Sequence, residues 1–273
     1  MIYRKCKKSD FEPLVELFSK AYSRKISKKE IEWLYIGNPI SSGLYNFVAT
    51  NEKNMVIGHT GFIKQEFILN GKTYIGGLTV GTASDNRHVG LFPPLYSALE
   101  DEFACEFDFF YGYPNENSYP FFKKLFKYED VPSVACFSSK NNQQNIVELS
   151  ELVFKNKNEK SQEYLEWRLS KNPINHYFIK EFKDFKIIFK YYKEQSIDLI
   201  GFVRKGSNIP LEIKNIDMNS FKCNFLLAGS LIKNFELHFA ENLDKKNRFI
   251  IKKLNNDVPY ENLLFQMYDI DIF

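Results

Sequence analysis

The sequence predicts an α/β architecture, a mixed α+β sheet flanked by helices, built twice in tandem. Three observations carry this expectation. The chain has 273 residues, more than the roughly 150 of a typical single domain. It also echoes itself: Glu32-Trp33 followed by Asn38-Pro39-Ile40 recurs as Glu166-Trp167 followed by Asn172-Pro173-Ile174, at a constant offset of 134 residues. Both tryptophans of the chain therefore hold equivalent places. Third, each copy begins with a helical run near a serine (Ser27, Ser161) and continues into two β-rich segments, 45–50 and 55–63 against 177–182 and 186–192.

The elements follow in order. Residues 2–6 read as a strand, Ser9 or Asp10 opens a helix to about Tyr22, and a second helix, 27–36, stops before Asn38-Pro39, because the residue before a proline is driven out of helical geometry. Three strands, 45–50, 55–67 and 72–82, are joined by the turn sequences NEKN and LNGK as an antiparallel meander. A helix from about Gly90 to Phe103, a strand 107–112 and a helix 116–125 complete the first copy. A weaker echo sets 107–115 against 235–242, and the helical segment 121–125 against 249–254. The expected division is a first domain over 1–140, a second over 150–273, and a polar linker at 140–150.

Composition excludes several classes. The 37 basic and 34 acidic residues leave a net charge of +3, too little to imply a nucleic-acid partner. No apolar run approaches the roughly 20 residues that span a bilayer, so a cytoplasmic protein without a membrane partner is expected. Cys6, Cys105, Cys136 and Cys223 are widely spaced and form no Cys/His cluster, so no metal site and no disulfide framework are expected.

The chemistry concentrates where strand 72–82 passes through GTASDNRHVG into a helix. Backbone N–H groups at a helix start, with the positive end of its dipole, form a cradle for phosphate. Arg87 would add a charge-assisted bond, and Gly90 would let an anion approach the backbone closely. A plain structural turn is the alternative reading of the same glycine. Gly71-Lys72-Thr73 is no P-loop, since the first glycine of that motif would have to stand at Glu66.

Arg87-His88-Val89-Gly90-Leu91-Phe92 resembles the R/Q-x-x-G-x-G/A pyrophosphate loop of the GNAT acetyltransferase superfamily, with Phe92 where Gly or Ala is usual. Asn115, ahead of helix 116–125, matches the asparagine that opens the helix after that superfamily's fifth strand. The segment YGYPNENSYPFFKKL is similar to a tandem two-domain subgroup. The resemblance covers about 1–135; the second half matches only as a degenerate copy without the loop motif.

The resemblance implies two tandem acyl-CoA N-acyltransferase folds, with acetyl-CoA as cosubstrate and the amine of a small metabolite as acceptor, amino sugars being one class. It places the pantetheine and thioester against Val80, Gly81 and Thr82, and the pyrophosphate on Arg87 to Phe92. The tyrosine that serves as general acid in the superfamily falls on Phe122, which has no hydroxyl. Tyr113 and Tyr119 are the substitutes at hand, or water serves, since a thiol with pKa near ~8.5 leaves readily. His59 is the candidate base, and the terminal carboxylate of Phe273 a second, by its similarity to tandem aminoglycoside acetyltransferases of the enhanced-intracellular-survival type. Aromatic packing, a hydrogen-bonded core histidine and an ordinary chain end are the respective plain alternatives. The rival function is a non-catalytic acyl-CoA-binding or interaction protein that kept the fold.

Overall fold

The computed structural model describes every residue except 86, 87, 89, 139–141, 156–159, 230–240, 243–247 and 270–273. The first copy runs β1 (Ile2–Lys5), α1 (Phe11–Ala21), α2 (Lys28–Tyr35), β2 (Asn46–Thr50), β3 (Val56–Leu69), β4 (Lys72–Ser84), α3 (Phe92–Phe103), β5 (Phe109–Gly112) and α4 (Tyr119–Lys124), then β6 (Glu129–Val131) and β7 (Ser133–Ser138). The second has α5 (Asn142–Lys155), α6 (Gln162–Leu165) extended by a wide turn over Glu166–Ser170, β8 (Phe178–Glu181), β9 (Phe185–Lys193), β10 (Ser196–Arg204), β11 (Glu212–Ile213), β12 (Lys222–Ala228), β13 (Glu241–Asn242), β14 (Phe249–Lys253) and β15 (Phe265–Gln266). Among the described residues no helix is long and apolar enough to cross a membrane.

Local signals account for the first elements. Ser27 accepts the Glu30 N–H while the Glu30 carboxylate takes the Ser27 N–H, a reciprocal cap that fixes the start of α2. At the β3–β4 turn Asn70 and Gly71 both have positive φ (53° and 78°), as a two-residue hairpin loop requires.

The strands form two mixed sheets, ordered β1-β2-β3-β4-β5-β14-β6 and β11-β8-β9-β10-β12-β7-β13. Laid side by side they correspond strand for strand from β2 and β8 onward, and each contains one foreign member. β14 of the second half lies between β5 and β6, while β7 of the first half lies between β12 and β13, antiparallel on both sides in each case. The segment 249–254 is therefore a strand, not the helix its likeness to 121–125 implies. Its Ile250 packs into the core under α3, while Phe249 and Ile251 pack on the opposite face, an alternation only a strand provides. The counterpart of β5 by position is β12, and most of the segment 235–242 lies outside the described residues.

One face of the first sheet carries α3 and α4 over an aromatic core that includes Phe62, Tyr96, Phe110 and Phe122. The other carries α1 and α2 and packs against the second half in one shared core. Trp33 and Trp167 stand at the join, stacked with centroids 5.2 Å apart. Each indole N–H donates to the other's backbone carbonyl, both at 3.0 Å, the reciprocity of a two-fold interface inside one chain.

Candidate functional site: the cleft between β4 and β5

β4 and β5 pair in parallel only over Gly76–Leu78 and Phe109–Tyr111. Beyond Leu78, β4 runs on to Ser84 held by β3, while β5 ends at Gly112 and leads through Tyr113, Pro114 and Asn115 to α4. The two strands part there, and a cleft of about 280 Å³ opens, lined by Leu78 to Thr82 on one side and Gly112 to Asn115 on the other. Phe122 of α4, Ser118 just before that helix and Tyr22 just after α1 close it.

The β4 wall is shaped by a bulge opposite the His59–Gly61 step. Gly81 has φ +63°, and a Cβ there would lie 2.2 Å from the Tyr35 hydroxyl and 3.1 Å from the His59 ring. Both the backbone angle and the space require glycine. His59, expected as a base, is fully buried behind this wall. Its Nδ1 is 2.7 Å from the Gly81 carbonyl and its Nε2 is 3.1 Å from Asn46 Nδ2. The first contact requires a proton on Nδ1, so Nε2 accepts from the amide. Burial lowers the ring's pKa to about 4, and the neutral ring fixes a carbonyl and has no lone pair to offer a substrate.

The tyrosines divide. Tyr113 lines the cleft, 36% exposed, its phenol pushed up to about 12 by desolvation, so it is protonated at neutral pH and able to donate. Tyr119 points elsewhere: its hydroxyl donates to Asp130 at 2.8 Å and accepts from Arg248, whose guanidinium lies 4.4 Å from the ring centroid. Tyr22, which carries no sequence signal as a site residue, reaches the cleft and donates to the Thr82 carbonyl at 3.3 Å. Phe122 lines the cleft as an apolar wall.

Asn115 caps the turn 116–118 that leads into α4, which begins at Tyr119, three residues later than the sequence predicts. Its Oδ1 accepts from the backbone of Asn117 and Ser118 and from the Ser118 hydroxyl, at 3.0 to 3.1 Å. In the loop before α3, Arg87 and Val89 lie outside the described residues, as does Phe273. His88 donates its N–H to Asp85, and Gly90 has φ +77° with open space where a Cβ would project. Leu91 is buried and Phe92 begins the helix, packed on Phe121, Phe122 and Phe126. Phe92 and Phe126 thus join α3 to α4. Pro93 and Pro94 occupy the first turn, which suits their fixed φ but removes two N–H donors. The donors left at this helix start belong to Gly90, Leu91 and Phe92.

The second sheet parts at the corresponding place, β10 and β12 pairing only over Ser196–Leu199 and Lys222–Phe225. Here the gap is filled. β15 pairs with Leu227 and Ala228, the Gln266 side chain accepts the Phe202 N–H at 2.8 Å, and Tyr268 lies where a Cβ on Gly201 would stand, 2.2 Å away. Residues 205–221 between β10 and β12 hold β11 and one short helical turn, with no counterpart of α3.

No protein-family model matches the sequence, and no curated protein matches it. Solved structures do match in shape. A conserved Enterococcus faecalis protein of unknown function has a TM-score of 0.60 at 11% identity, over 93% of this chain and 72% of its own. A GCN5-related N-acetyltransferase from Anabaena variabilis gives 0.59 at 11% identity, over 93% and 73%. Eis1 from Mycobacterium abscessus gives 0.53 at 9% identity, over 93% and 74%. The parted strands and the helix that opens beside them, seen with these likenesses, give this chain the fold of the GCN5-related N-acetyltransferases, built twice.

Proposed function

We propose that this chain transfers an acetyl group from acetyl-CoA to an amine of a small molecule, with the first half as the reacting site. The parting of β4 from β5 beyond Leu78 carries the reading. It leaves the backbone of Thr79 to Thr82 without a strand partner on the β5 side, and such groups can hold a thioester and meet the charge that develops on its oxygen. Gly90 and the start of α3 suit the pyrophosphate, with Arg87 as its counter-charge. Tyr113 is the phenol positioned to donate in the cleft. The second half takes no cofactor, because its own residues 265–268 fill the matching gap. It covers the α1/α2 face of the first and helps to shape the acceptor side.

Thermal shift and calorimetry with acetyl-CoA test the reading. Saturating ligand should raise the melting temperature, as any ligand that binds only the folded state does. Arg87→Glu should cost about 2 kcal/mol of affinity by removing a charge-assisted bond. CoA release on a panel of amines, amino sugars among them, then identifies the acceptor. One observation favours the rival, a non-catalytic acyl-CoA binder: Phe122 presents a ring without a hydroxyl to the cleft. Binding without CoA release on any amine would decide for it.

A further inference from the structure

Behind the cleft wall runs an unbroken line of hydroxyl groups. Thr79 Oγ1 stands across the parted strands from Gly112, 3.7 Å from where a Cβ on that glycine would lie. It is 3.0 Å from the Tyr96 hydroxyl, which is 2.6 Å from the Tyr128 hydroxyl. Tyr128 donates to Glu100 at 3.2 Å, and the other oxygen of Glu100 holds Lys252 at 2.6 Å. The two tyrosines are buried and Glu100 is 7% exposed, whereas Thr79 lines the cleft and the Lys252 side chain is 27% exposed. Both tyrosine rings pack against Phe122, at 5.0 Å between centroids. Phenylalanine at 96 and 128 would fill this core without two buried hydroxyls to satisfy.

We propose that Thr79, Tyr96, Tyr128 and Glu100 form a proton relay between the reacting atoms and a buried carboxylate, in place of the phenol missing at Phe122. The inference rests on the acyl-transfer reading. With Glu100 ionised, Tyr128 donates to it, Tyr96 to Tyr128 and Thr79 to Tyr96, which leaves a Thr79 lone pair facing the cleft. When the amine has added to the thioester carbonyl, its N–H bond breaks and the proton bonds to Thr79 Oγ1. The Thr79 proton passes to Tyr96, that of Tyr96 to Tyr128, and that of Tyr128 to Glu100. As the C–S bond breaks, the same shifts run in reverse and one proton reaches the thiolate. Glu100 is again a carboxylate, no co-reactant is consumed, and the products are the amide and free CoA thiol. Burial raises the pKa of Glu100, Lys252 and the hydrogen bond from Tyr128 oppose the rise, and Asp101 beside it on α3 adds to it. Of these four, Thr79 alone meets the reacting atoms, and the other three act through it.

The test uses the full chain. Thr79→Val, Tyr96→Phe, Tyr128→Phe and Glu100→Gln should each lower kcat by about 10², the usual size for a lost acid or base, with acetyl-CoA Kd within threefold of wild type. Tyr96→Phe with Tyr128→Phe should be no slower than either alone, since one break disables the line. The wild-type rate in H2O/D2O mixtures should bow, as for several protons in flight, and become linear in the variants. Independently of any acceptor, the titration of the bound CoA thiol, followed by thiolate absorbance, should shift in Thr79→Val. Variants within threefold of wild type, additive losses, or an unchanged thiol titration would overturn the relay while leaving acyl transfer standing. A wild-type chain that binds no acetyl-CoA would instead overturn acyl transfer, and the relay with it. If a buried variant fails to fold, Thr79→Val at the cleft end of the line decides.

Discussion

Gly81→Ala probes the shape of the cleft wall. Alanine in the left-handed region costs about 1–2 kcal/mol, and Gly81 sits there with φ +63°. Its Cβ would also lie 2.2 Å from the Tyr35 hydroxyl, a close contact in a packed interior, where overpacking costs about 1–3 kcal/mol. The expected loss is therefore about 2–5 kcal/mol. The two parts separate in a double-mutant cycle with Tyr35→Phe. Among the described residues the Tyr35 hydroxyl is buried without a hydrogen-bond partner, so its removal alone should be neutral or slightly stabilising. In the double variant the nearest remaining atom lies 3.1 Å from the new Cβ, on the His59 ring. About 1–3 kcal/mol should return, and the backbone cost should stay. Urea unfolding, read as a shift in midpoint at constant slope, measures each corner of the cycle. A double variant as unstable as Gly81→Ala would refute the steric account, and a neutral Gly81→Ala would refute both parts.

Three further outcomes are expected. Trp33→Ala and Trp167→Ala should each cost about 3–5 kcal/mol in guanidinium unfolding; because the indoles stack and exchange hydrogen bonds, the double variant should lose less than the sum. His59 has a folded pKa of about 4 against 6.5 for the free ring, so the unfolded chain binds the extra proton. The stability this group contributes is complete above about pH 6.5 and falls away toward pH 4, by about 3 kcal/mol; unfolding of His59→Gln across that range should lack this component. Tyr268→Ala should empty the filled gap in the second sheet and destabilise the chain by about 3–5 kcal/mol, yet calorimetry should still count one acetyl-CoA per chain, since residues 205–221 between β10 and β12 hold no counterpart of α3. A second equivalent of cofactor would contradict that reading.

The first-half elements were legible because their signals are local: a reciprocal cap at Ser27 and Glu30, Asn-Gly at a hairpin, a proline after Asn38. The exchange of β7 and β14 was not, because a strand's partners are chosen by the whole sheet, and FIIKKL taken by itself suits a helix or a strand. At the site, the attention to Val80–Thr82 and to Asn115 came from the resemblance. His59 looked available only while its burial was unknown, and Tyr119 only while Asp130 and Arg248 were unplaced. The relay did leave a trace. Leu95, Tyr96, Leu99, Glu100 and Phe103 repeat at the spacing of a buried helical face, and a carboxylate on such a face marks a polar group with a buried partner. Tyr22, Tyr128 and Lys252 meet the site from distant parts of the chain, and nothing in their neighbourhoods announces it.

The exchanged strands also determine what can be lost. Cutting the chain after β7 would take β14 out from between β5 and β6, strand β6 without a neighbour, and remove Lys252 from Glu100. Cutting before α5 would deprive β12 and β13 of the strand they share. Neither half is a part that can be shed or borrowed whole. A truncation that spares every residue of the cleft would still dismantle it, so each half must be kept for the other to stand.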